Sequence, residues 1–156
     1  MDKTEYAEIA RMYIDDVYRA ALSCCRSRED AEDAVQNTFL KLLTTDIDFS
    51  GGEHVRRWLI RVAVNECRSE LRSFRRRSVS YIEELGSEPS APEDDRRLLL
   101  YEIGRLPVKY SAPLHLYYYE GYSCKEIADL LHISESNVQT RLQRARKMLR
   151  KNLEEG

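Results

Sequence analysis

Apolar residues recur at three- and four-residue steps from about Tyr6 to Cys25, through Ile9, Tyr13, Val17, Ala20 and Ala21. That spacing predicts an amphipathic helix. Ser27 suits the N-cap of a second helix, with Asp30 three residues on completing a weak capping box. There Ala31, Ala34, Val35, Thr38, Phe39 and Leu42 make the apolar stripe, which leaves Asp30, Asp33, Gln36 and Asn37 on a polar, acidic face. The pattern breaks at "TTDIDFSGGEH", where Asp and paired glycines predict a loop. It resumes near Val55 and runs to about Arg77, with Trp58, Leu59, Val62, Ala63, Cys67 and Leu71 inward.

From about Ser78 to Asp95 the periodicity is lost, and Pro89 and Pro92 stand among acids and serines. These residues predict a flexible, acidic linker. Beyond it, "RRLLLYEIGRL" reads as a short helix stopped before Pro107. Pro113 suits the first turn of the next helix, "PLHLYYYEGY", which should end near Gly121. Two further helices follow, and no strand pattern appears. The expected fold is all-α, with two small helical domains at 1–77 and 96–156 joined by the linker 78–95.

The last two helices carry a helix-turn-helix pattern. Ser123 caps a short helix with Ile127, Ala128, Leu130 and Leu131 as core positions; His132 and Ile133 make the turn; Ser134 caps the second helix. Val138, Leu142, Ala145 and Leu149 then form a clean stripe. Gln139, Thr140, Gln143 and Arg144 lie off that stripe, where side chains can meet base edges in a major groove. Arg141, Arg146, Lys147 and Arg150 fit phosphate or solvent contacts. The aromatic run Tyr117, Tyr118 and Tyr119 reads mainly as core.

Net charge is only −2, but its distribution is uneven. Arg56, Arg57, Arg61, Arg68, Arg72, Arg75, Arg76 and Arg77 crowd one segment, and a second basic run lies between Arg141 and Lys151. Acidic stretches precede and separate them. Two basic surfaces divided by acidic ones predict two polyanion contacts and a basic partner elsewhere. Solvated helix faces are the plainer alternative.

The remaining chemistry is sparse. Cys24, Cys25, Cys67 and Cys124 form no C-x-x-C pair and have no His at metal-ligand spacing, so they are expected to be small, partly buried hydrophobes in a reducing compartment. His54, His115 and His132 are scattered. No phosphate loop, nucleophile elbow or acid–base constellation is present, so no catalytic residue, metal or cofactor is expected. No run approaches the roughly 20 apolar residues of a membrane span, and the acidic "MDKTEYAEIARMY" does not look like a signal peptide. A cytoplasmic protein without membrane insertion is expected.

The segments "REDAEDAVQNTFLKLL" and "VRRWLIRVAVNECRSELRSFRRR" resemble region 2 of the extracytoplasmic-function (ECF) subfamily of the sigma-70 family of RNA polymerase sigma factors. "LPVKYSAPLHLYYYEGYSCKEIADLLHISESNVQTRLQRARKML" resembles region 4 of that family. The resemblance spans nearly the whole chain and implies promoter-specific transcription initiation with core RNA polymerase. It places Asp30, Asp33, Gln36 and Asn37 against the β′ clamp helices, with the β subunit also contacted; Asn37 stands where the family usually has Glu. Phe49 and Asn65 match the pocket for a base flipped from the minus-ten element, and Arg56, Arg57, Arg61, Arg68 and Arg72 would hold that strand's backbone. At the minus-thirty-five element the matching positions are Cys124, Lys125, Ser136, Asn137, Gln139, Thr140, Arg141, Gln143 and Arg144. Gln139 replaces a residue that is often basic. An anti-sigma factor is a further partner implied by the resemblance. A helix-turn-helix regulator that is not a sigma factor, and a helical adaptor with no DNA role, stay open as other readings.

Overall fold

Asp2 starts the first helix: its carboxylate accepts the Glu5 N–H at 2.8 Å, satisfying one of the donors that a helix start leaves open. In the computed structural model, which describes residues 1–25, 27–73 and 95–155, helix α1 spans Lys3–Cys24. Helix α2 spans Arg28–Thr44, and Ser27 Oγ accepts the Asp30 N–H at 3.0 Å, as the capping pattern predicts. Helix α3, Gly52–Ser73, begins one turn before the expected Val55.

The second half contains α4 (Asp95–Gly104), α5 (Val108–Leu114), α6 (Cys124–Leu131) and α7 (Glu135–Glu155). There is no strand among the described residues. The expected linker lies outside the described residues, apart from Asp95 at the start of α4.

Two expectations for this half are corrected. Pro113 is not in a first turn: Pro107 stands at the N-cap of α5 and Pro113 falls near its end. The chain then runs straight into a π-helical turn, His115–Tyr119, closed by the Glu120 N–H donating to the His115 carbonyl at 3.1 Å. Nor are the three tyrosines mainly core. His115 and Leu116 are buried there, whereas Tyr117 and Tyr119 are half-buried and Tyr118 is 51% exposed.

Helices α1, α2 and α3 pack on one another around Val17, Ala21, Leu42, Leu59 and Ile60, all essentially inaccessible. Helices α5 and α6 pack on α7 around Leu116, Ile127, Leu130, Val138 and Leu142. The two bundles also touch: α5 lies on α1 and α6 on α3, so the buried residues form one continuous cluster. At that junction the Ser111 hydroxyl donates to the Ser23 carbonyl at 3.1 Å.

The cysteine reading is also corrected. Cys25, at the end of α1, and Cys67, in α3, are paired as a disulfide, with Cα atoms 5.3 Å apart. Cys24 is a buried free thiol, as expected, and Cys124 is a half-buried one.

The helix-turn-helix forms where the pattern predicts. Ser123 Oγ accepts the Glu126 N–H at 3.1 Å while the Glu126 carboxylate accepts the Ser123 N–H at 2.9 Å, a complete capping box. His132 ends α6 in the left-handed region at φ 58°, reversing the chain into α7. A Ser123→Ala variant should lose about 1 kcal/mol of stability. Urea unfolding checks this, and a loss below about 0.3 kcal/mol would make the cap irrelevant.

Candidate nucleic-acid interface

Helix α2 buries its apolar stripe and leaves Glu32, Asp33, Gln36 and Asn37 exposed. Asp30 is a correction: it is 2% exposed and so does not belong to that outward face. What sequence reasoning missed beside this face is apolar. Leu40 and Leu43 are more than half exposed, and a groove of about 560 Å³ runs between α1 and α2, lined by Tyr6, Ile14, Tyr18, Val35, Phe39 and Leu40. An acidic rim around an apolar groove fits a basic, amphipathic partner.

The loop before α3 runs close to α1. A Cβ on Gly52 would lie 2.6 Å from the Tyr13 hydroxyl, so a larger residue there would require the Tyr13 ring to shift. Phe49, half-buried, packs edge-on against His54 and Trp58 at centroid distances of 5.0 and 5.6 Å. The Ser50 N–H donates to His54 Nδ1 at 3.0 Å and holds that ring in place. Trp58 is therefore a packing residue beneath Phe49, as its stripe position suggests. Asn65 is exposed, two turns further along α3 and on the same face as Trp58, about 10 Å on at 1.5 Å per residue.

The positions expected to read upstream DNA lie together on the surface. Gln139, Thr140, Gln143 and Arg144 are all exposed on one face of α7, with Ser136 one turn before them. Arg141 is not free to swing, because its Nε donates to Asn137 Oδ1 at 3.1 Å. Lys125 is exposed and Cys124 half-buried at the start of α6.

The arginines of α3 are differently placed from the others. Arg56 Nε meets Asp16 at 2.9 Å, and its other nitrogens reach Glu53 at 3.1 Å and the Glu120 carboxylate at 2.5 Å. Arg57 pairs with Glu126 at 2.5 Å and lies 4.6 Å over the Tyr122 ring. Arg61 pairs with Asp129 at 3.1 Å. Arg68 is half-buried, and of Arg72 only the backbone, on the last turn of α3, is described. Three of the five expected strand-binding arginines thus meet acids from the second half of the chain.

Behind Arg56 sits a buried polar cluster that sequence reasoning did not find. His115 Nε2 lies 3.1 Å from Glu120 Oε2, and its ring stacks on Tyr119. Burial pushes the His115 pKa down to about 3. Burial, and then the neighbouring Glu120, push Asp16 up to about 6. Glu120 is likewise raised by burial, although Asp16 and Arg56 oppose the shift. For Arg56 burial works against the charge, but Glu120, Asp16 and Glu53 outweigh it and its pKa rises. No group of three or more His, Cys, Asp or Glu side chains suited to a metal occurs among the described residues.

Two protein families match the chain: the one described as "Sigma-70 region 2" over residues 9–77, and "Sigma-70, region 4" over residues 96–149. The ECF RNA polymerase sigma factor SigM of Bacillus subtilis is 31% identical over 152 residues, covering 92% of this chain and 91% of that protein. SigL of Mycobacterium tuberculosis, also an ECF RNA polymerase sigma factor, is 33% identical over 147 residues, or 89% of this chain and 83% of its own. Among solved structures, the sigma factor RpoE of Bartonella quintana, in complex with the anti-sigma factor NepR, superposes with a TM-score of 0.68 at 18% identity, over 96% of this chain and 97% of that one. CnrH, in complex with the cytosolic domain of CnrY, gives a TM-score of 0.59 at 24% identity, over 98% and 90%. At these identities the two structures speak for the fold.

Proposed function

The chain belongs to the ECF sigma factors of the sigma-70 family, and from that membership we propose how its residues divide the task. It binds core RNA polymerase and directs promoter-specific transcription initiation. The polymerase carries the chemistry; sigma factors are initiation factors rather than enzymes.

In the proposed division, residues 1–77 dock on the polymerase and capture the minus-ten element, 78–95 tether, and 96–156 read the minus-thirty-five element. The exposed face of Asp33, Gln36 and Asn37, with the groove beside it, takes the β′ clamp helices. Phe49 and Asn65 receive the flipped base, and Arg56, Arg57, Arg61, Arg68 and Arg72 hold its strand. Gln139, Thr140, Gln143 and Arg144 read upstream base edges, aided by Cys124, Lys125, Ser136, Asn137 and Arg141. The observation that carries this reading is the separation of surfaces: α2 exposes acids that repel DNA, whereas α7 exposes donors that bind it. An anti-sigma factor competing for the α2 face is part of the proposal. It is supported by the solved relative held by NepR. No helix among the described residues is long and apolar enough to cross a membrane.

Run-off transcription with purified core polymerase on genomic promoter fragments tests the assignment. Specific start sites should appear only when the protein is added. Asp33→Ala should weaken binding to core polymerase about tenfold and leave duplex binding by α7 unchanged. Unchanged affinity for core polymerase would remove α2 from the interface.

A further inference from the structure

The geometry points to an internal competitor for promoter DNA: the carboxylates of Glu120, Glu126 and Asp129 occupy the α3 arginines that the minus-ten strand would need, so the closed protein masks one DNA site and leaves the other open. This inference rests on the proposed role of Arg56, Arg57 and Arg61. Each pair joins residues more than sixty positions apart in sequence. The pairing follows the helix repeat: Arg57 and Arg61, one turn apart on α3, meet Glu126 and Asp129, one turn apart on α6. Three anionic side chains set against three guanidiniums present to α3 what a stretch of phosphates would present.

The masking is one-sided. Gln139, Thr140, Gln143 and Arg144 stay exposed in the same arrangement. A closed molecule therefore keeps its duplex-reading face, while single-stranded DNA must displace the second bundle to reach α3. Affinity for a strand is then reduced by the fraction of molecules that are open, and weakening the seam raises it in proportion. The outer two pairs are partly exposed, with Asp129 at 70%, so each shifts the equilibrium only a few-fold.

The test is fluorescence anisotropy of a mixed-sequence single-stranded 16-mer against the full chain at low salt, with X-ray scattering of the same samples. Glu126→Gln combined with Asp129→Asn removes the two outer pairs, and Gln at 126 can still accept the Ser123 N–H of the capping box. A control of equal charge, Glu154→Gln with Glu155→Gln, sits at the far end of α7. The seam variant should bind the strand about fivefold more tightly than the control and show a larger radius of gyration. The swap of Arg61→Asp with Asp129→Arg, which leaves the capping box intact, should keep the compact form. Equal gains for seam variant and control would mean that net charge alone is at work, and would overturn the proposal. So would a tighter strand complex with no change in size. Neither result involves polymerase, so failure here leaves the transcription assay as the separate judge of the sigma-factor reading.

Discussion

Replacing Arg56 with Met is expected to destabilise the protein by about 3 kcal/mol, the low end of the cost of removing one partner from a buried ion pair. The low end applies because the Arg56 side chain is 17% exposed, although that of Glu120 is fully buried. Methionine fills a similar volume, so the loss is mainly electrostatic: Glu120 and Asp16 are left beside each other without their cation. At roughly 2–4 °C per kcal/mol for a chain of this size, the melting temperature should fall by about 6–12 °C. The loss should shrink in mild acid, where both carboxylates, already held high, take up protons at little cost. It is also capped by the free energy of docking, since undocking rehydrates Glu120; a variant at that cap should melt in two steps. Arg61→Met, whose pair with Asp129 is exposed on both sides, should cost under about 1 kcal/mol. Equal losses for the two variants, measured by calorimetry, would show that the buried cluster has no special weight.

The second large effect is a change in how stability responds to pH. His115 is neutral in the fold, with a pKa of about 3 against 6.5 when unfolded. Its folded value is depressed, and the group gains its charge only on unfolding. Its contribution is therefore present above pH 6.5 and is lost as pH falls below that, by about 2 kcal/mol at pH 5. Asp16 runs the other way. Its folded pKa of about 6 lies above the usual 3.8, so its contribution is fully present below 3.8 and is lost as pH rises through 6. Between pH 7 and 5 the two oppose each other. His115→Gln keeps a donor for Glu120 and removes only the histidine response, so the variant should become more stable on acidification. The stability difference between the two proteins should shift by about 2 kcal/mol across that range in urea titrations. Parallel curves would mean that His115 is not held neutral.

The helices and their caps were legible in the sequence because they rest on local chemistry. Ser27 and Ser123 cap where expected, and the α7 stripe of Val138, Leu142 and Ala145 is fully buried. The expectations that failed depended on distant packing. Nothing near Asp30 says that its carboxylate is covered, and Pro113 looked like a helix start because the real one, at Pro107, lies only six residues earlier. Among four cysteines, no spacing rule singles out Cys25 and Cys67, 42 residues apart. The arginine segment was correctly read as concentrated positive charge. That Glu120, Glu126 and Asp129 would meet it could not be read, because sequence gives the repeat of each helix but not the register between two of them.

The turn at His115–Tyr119 has a steric consequence. In an ordinary α-helix, residues five apart point about 140° away from each other, and His115 and Glu120 could not share one interior. The wider coil at this point brings them within 3.1 Å, with Arg56 at the carboxylate's other oxygen. Tightened to the common pitch with every residue kept, the stretch would turn Glu120 away from His115 and from its guanidinium, whereas deleting one of residues 116–119 would restore that pitch and leave the acid four places from His115, about 40° away and on the same face. The wide turn thus absorbs one surplus residue of backbone and keeps the latch between the two halves in register.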